Sequence, residues 1–100
     1  MNETIMNELK QVVDPELGIS VVDLGLIREI AVADDGVTNI TMTLTSPGCP
    51  IGPQLMAAVK HFAEKAEGVK EANVKLVFSP PWNPDRDATQ HGKFQLSMLM

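Results

Sequence analysis

Cysteine occurs once in this 100-residue chain, at Cys49. A single cysteine makes no internal disulfide, which excludes a disulfide-stapled scaffold and fits a reducing compartment. No CxxC pair exists, so zinc-ribbon and thioredoxin readings fail. Basic side chains are also few: eight Lys and Arg face thirteen Asp and Glu, for a net charge of −5. That field repels phosphate backbones, and no local run of Lys or Arg overcomes it, so nucleic acid is excluded as an expected partner and a basic protein partner, or none, fits better. The apolar runs are far shorter than the ~20 residues that span a bilayer, so no membrane partner is expected. Met1-Asn2-Glu3-Thr4 lacks the basic start and apolar stretch of a secretion signal, which predicts a cytoplasmic protein. GxGxxG, GxxxxGK[ST] and G-x-S-x-G are all missing, which removes the usual nucleotide cradles and the serine-hydrolase elbow. There is no repeat, no low-complexity tract and no linker.

What remains is an ordinary globular composition, 44% apolar and 21% charged, at the length of one domain over residues 1–100. Ile5, Leu9 and Val12 recur at helical spacing, predicting a helix over 2–13 that Asp14-Pro15 ends, because proline disfavours helical geometry in the residue before it. A loop with Gly18 follows. Val21 to Ala33 is rich in β-branched and aliphatic residues, and Asp34-Asp35-Gly36 is a turn signal, so a β-hairpin is expected. In its second arm Ile40, Met42 and Leu44 alternate with Thr41, Thr43 and Thr45, predicting one buried face and one lined by hydroxyls. A second helix is expected over 52–67, with Pro53 in its first turn and Gly68 at its stop. A third strand is expected over 69–78, with Val74, Leu76 and Phe78 on one face. The alternation of Phe94, Leu96, Met98 and Met100 suggests an extended edge segment in the tail, with a short helix as the alternative. The expected fold is α/β (α+β) in the order α-β-β-α-β plus tail, with helices on one face of a small three-stranded mixed sheet.

Cys49 is the first candidate for chemistry. It lies in the stiff loop Thr45-Ser46-Pro47-Gly48-Cys49-Pro50, just before a helix, where unpaired N–H groups favour the thiolate that binds metal or attacks carbon. A buried, inert cysteine is the plain alternative. Asp23 interrupts an apolar stretch and must find donors, either as a site acid or as an acid that pins a loop. Asp14 and Glu16 flank Pro15; paired carboxylates do acid–base work or hold hard cations, but are more often turn residues. Thr45 and Ser46 place hydroxyls beside Cys49, to cap a turn or bond a ligand. His61 and His91 lack metal-ligand spacing to each other or to Cys49 and read as solvated. Trp82 packs under the sheet or sits at a partner surface.

Four segments occur in order: Asp14-Pro15-Glu16, Val22-Asp23-Leu24-Gly25-Leu26-Ile27, Thr45-Ser46-Pro47-Gly48-Cys49-Pro50, and Pro80-Pro81-Trp82-Asn83-Pro84-Asp85. Together they make the chain resemble the SufT/PaaD-like family of iron–sulfur assembly factors. The resemblance implies a non-enzymatic carrier or adaptor that works with iron–sulfur assembly proteins and apo iron–sulfur targets. It places the family's reactive cysteine on Cys49 as cluster or partner contact and metal ligand, with Asp23, Thr45, Ser46 and Gly48 near it. It places the supporting turn on Asp14 and Glu16. An iron–sulfur cluster usually takes four thiolates and one chain supplies one, so any cluster is expected to be transient and shared between the subunits of a homodimer. The DLGL segment and the cysteine loop are expected to meet, being the outer ends of the hairpin's two arms. Two further readings stay open: an accessory protein of a phenylacetyl-CoA-type ring oxygenase, and a cysteine-nucleophile enzyme, which needs a positioned base. The tail after Asp85 departs from the family pattern.

Overall fold

The computed structural model describes residues 2–45 and 50–99. Helix α1 spans Glu3–Leu9, opened by Asn2, whose side chain accepts the Ile5 N–H at 3.1 Å. It stops short of residue 13. The last turn tightens, with Val12 N–H bonding Leu9 C=O at 3.0 Å, and the chain extends into β1 (Val13–Asp14), which pairs antiparallel with β2 (Ile19–Ser20). Pro15 forces that extension, and the two-residue ladder uses it.

The first hairpin arm also differs from the expected strand. Val21–Leu24 forms a helical turn, α2, and β3 begins only at Ile27 (Ile27–Val32). Two caps override the β-branched composition. Ser20 Oγ accepts Val22 N–H at 3.1 Å, and Gly25 ends the turn in the left-handed region at φ 78°, which glycine adopts without strain.

Beyond that the hairpin follows the pattern. β3 and β4 (Val37–Met42) are joined by Asp34-Asp35-Gly36, with Gly36 at φ 88°. Ile40, Met42 and Leu44 are all buried. The threonine face is not uniformly exposed: Thr43, past the end of the strand, is fully buried, as is Thr38 in phase with Ile40. Helix α3 (Gly52–Glu64) crosses over to β5 (Glu71–Leu76), which lies parallel to β4, giving the order β3-β4-β5. β5 is shorter than expected; Ala72 is its fully buried residue, and Phe78 lies beyond it and is exposed. Lys60 Nζ donates to Ala72 C=O while Glu64 Oε2 accepts Ala72 N–H at 3.0 Å, so α3 is stitched to this edge strand.

α1 packs on α3, and α3 on β5, around a core that includes Ile5, Leu9, Ile40, Met42 and Val59. The tail is helical, not extended. α4 spans Pro84–Asp87 and α5 spans Gln90–Ser97, each opened by a side-chain cap, Asn83 and Thr89. These caps outweigh the alternating pattern: Phe94 in α5 and Met98 just past it are exposed, while Leu96 packs partly against the core. No helix among the described residues is long and apolar enough to cross a membrane.

Candidate functional site

The DLGL segment is the turn on which Trp82 and the tail's Thr89 meet. In α2, Val21, Val22 and Leu24 point into the core, and only Asp23 remains half-buried. Gly25 turns the chain back so that Leu26 N–H reaches Val21 C=O at 3.0 Å. The hairpin register then sets Leu26 beside the end of β4: Leu26 C=O accepts Thr43 N–H at 2.8 Å, and Ile27 faces Met42. The two arms are thus side by side as far as Thr43; Thr45, where the cysteine loop begins, is half-buried. Ser46, Gly48 and Cys49 lie outside the described residues.

Asp23 has found its donors in the tail. Its Oδ1 accepts the Thr89 hydroxyl at 2.8 Å, and its backbone C=O accepts Thr89 N–H at 2.9 Å. The same hydroxyl oxygen accepts Gly92 N–H at 2.9 Å and so caps α5. Two glycines permit this approach. A Cβ on Gly92 would stand 2.0 Å from Asp23 O, and one on Gly25 would stand 1.9 Å from Asp87 O. Trp82 joins the same turn, half-buried against the core, with its indole N–H on Leu24 C=O at 2.7 Å.

Asp14 is buried, and its Oδ1 accepts Glu16 N–H at 2.8 Å and Leu17 N–H at 3.3 Å. That bonding is that of a carboxylate closing a turn. Glu16 itself is exposed, as are His61 and His91. Among the described residues no group of three or more His, Cys, Asp and Glu is placed to hold a metal ion.

Three residues that sequence reasoning passed over stand beside this turn. Arg86 grips Asp87 through two bonds of 2.9 Å, Nε to Oδ1 and Nη2 to Oδ2, and Arg28 lies 3.8 Å from the same Oδ2. The Arg86 fork is the main cause that holds the Asp87 carboxyl down at about 2; the Asn83 N–H and the charges of Arg86 and Arg28 add to it, against the opposing effect of burial. A folded-state value below the ordinary 3.8 means the contribution is complete above about pH 4 and is lost as pH falls towards 2. Urea midpoints of the native chain and Asp87→Asn should therefore differ most above pH 4 and converge towards pH 2; a gap that stays constant over that range would refute the assignment. The available signal was Arg28 itself, a charge directly after the apolar run Leu24-Gly25-Leu26-Ile27.

Residues 2–76 match the family described as iron-sulfur cluster assembly protein. The chain is 46% identical over 86 residues to the Fe-S protein maturation auxiliary factor YitW of Bacillus subtilis, covering 86% of this chain and 84% of that one. It is 47% identical over 74 residues to the Fe-S protein maturation auxiliary factor SufT of Staphylococcus aureus, covering 74% and 84% respectively. A crystal structure of a domain of unknown function from Bacillus anthracis superposes with a TM-score of 0.89 at 34% identity, covering 96% of this chain and 91% of that one. On the extent of the family match and the identity to these relatives, the chain belongs to the iron–sulfur cluster assembly protein family.

Proposed function

We propose that this chain is a non-enzymatic auxiliary factor in the maturation of iron–sulfur proteins and that it works through Cys49. The observation that carries the reading is the high identity, over most of the chain, to two relatives that are themselves named maturation auxiliary factors. The ring-oxygenase accessory reading is not favoured by those names. For the nucleophile-enzyme reading, which needs a positioned base, His61 and His91 are both exposed and neither sits in a motif that suggests one.

The cluster is cargo in this proposal. With one cysteine per chain, a monomer supplies one of the four thiolates a stable cluster usually takes. Two copies facing each other supply two Cys49 thiolates, and the open positions left over suit a cluster that is handed on to an apo target. Thr45, Ser46 and Gly48 are proposed to shape the loop around the thiolate, and the turn of Asp14 and Glu16 to support the DLGL segment beside it. The site belongs to a single domain acting in the cytoplasm with assembly proteins and their targets.

Anaerobic reconstitution of the purified protein with iron and sulfide, beside Cys49→Ser, tests this. The expected result is cluster-type visible absorption in a species of twice the monomer mass, reduced to background in the variant. Absorption retained in full by Cys49→Ser would remove the cysteine from the role. Absorption in neither protein would leave the adaptor form, in which Cys49→Ser must instead slow maturation of a client iron–sulfur enzyme in cells.

A further inference from the structure

Arg28 is out of balance with its surroundings. Its side chain is 17% exposed, and its buried Nη2 has no hydrogen-bond partner among the described residues. A guanidinium that far from water ordinarily has its donors engaged. Among the described residues the acid within 4 Å of Arg28 is Asp87, which is oriented by another residue: Arg86 takes both of its oxygens at 2.9 Å and leaves Arg28 at 3.8 Å, beyond hydrogen-bond range. Arg86 is committed elsewhere as well, donating to Pro81 C=O at 2.6 Å. Among the residues that line the adjoining groove, two cations therefore share one carboxylate, with the Asp23 carboxylate behind them taken up by the Thr89 hydroxyl, in a chain whose overall charge is −5.

Arg28 lines a groove of about 460 Å³ between α1, α2 and the tail, whose other walls include Met6, Val22, Ile27 and Pro80. A planar fork with unmet donors beside aliphatic walls has the shape of a carboxylate with a short apolar body: the acid takes two parallel N–H bonds, and the alkyl part takes the walls. A phosphate would gain nothing from the walls.

We propose that this groove, with Arg28 as its anchoring cation, binds a carboxylate carried on a short apolar body. The proposal does not use Cys49 and does not depend on the cluster reading. The same chemistry occurs on a free small acid and on an acidic side chain next to an aliphatic residue in a partner protein.

The test follows the side-chain Nε–H resonance of Arg28 in the intact protein, identified by its loss in Arg28→Lys, during titration at constant ionic strength. The probes are butyrate, acetate, phosphate, chloride and the capped dipeptide N-acetyl-leucyl-glutamate amide. The expected result is a saturable shift with butyrate about tenfold tighter than with acetate, from two further methylenes meeting the walls. Tighter binding of the dipeptide than of butyrate would assign the site to a partner's side chain, and binding of butyrate alone would assign it to a free acid. A shift that never saturates or is matched by chloride overturns the proposal, as does phosphate binding as tightly as butyrate. Arg28→Gln adds a second reading: the backbone amides of Val22 and Ile27 must lose their response to butyrate while the rest of the amide spectrum stays folded.

Discussion

Gly92→Ala is expected to loosen residues 84–99 from the rest of the protein while the sheet stays folded. Position 92 lies inside α5, where helix propensity alone predicts that alanine stabilises by about 1 kcal/mol. The packing predicts the opposite sign. The new Cβ would stand 2.0 Å from Asp23 O, and that atom is backbone, so no rotamer change relieves the contact. α5 must back away from α2, and Thr89 then loses its two short bonds to Asp23. Overpacking of this kind costs about 1–3 kcal/mol, roughly a 5- to 150-fold faster opening of the affected amides. Hydrogen exchange should show this at Thr89 and Lys93, whose N–H groups bond Asp23 C=O and Thr89 C=O, and not at Met42. Equal or slower exchange at Thr89 would mean that the tail does not rest on Asp23 as described.

Met42→Ala should have a larger and global effect. Met42 is fully buried in the central strand, facing Ile27 on one side and Leu76 on the other. Removing a buried side chain of this size costs about 2–5 kcal/mol, out of the roughly 5–15 kcal/mol that holds a domain together. For a chain of this length that lowers Tm by about 8 °C or more. Calorimetry on the native chain and the variant measures it. A fall under about 3 °C would mean that the centre of the sheet collapses around the gap, or is less tightly packed than the burial of Ile40 and Val59 indicates.

The two predictions divide along the line between what the sequence made legible and what it did not. β4 was plain because Ile40, Met42 and Leu44 keep strict alternation, and α3 because Leu55, Val59 and Ala63 recur at helical spacing after Pro53, although the helix ends at Glu64, short of the expected stop at Gly68. Residues 21–26 misled because their β-branched side chains suit a strand, whereas the caps at Ser20 and Gly25, single residues at either end, decide for a helical turn. The tail misled for a similar reason: Asn83 and Thr89 set two short helices whose apolar side chains do not all seek the core. Of the candidate site, Asp23 was found as an acid in need of donors. Its partner Thr89 was not, since a contact across 66 residues leaves no local trace. Arg28 stood in view as a charge directly after an aliphatic run, but its unpartnered Nη2 is a property of the packed structure alone.

The bond from Trp82 to Leu24 has a practical consequence. The chain holds one tryptophan and no tyrosine, so its ultraviolet emission comes almost wholly from a single indole. That indole donates its N–H to the peptide carbonyl in the middle of the DLGL segment. The protein thus carries an intrinsic optical reporter at the junction of the tail and the DLGL segment. Any partner or cargo that shifts this junction should register as a change in emission wavelength, without a label.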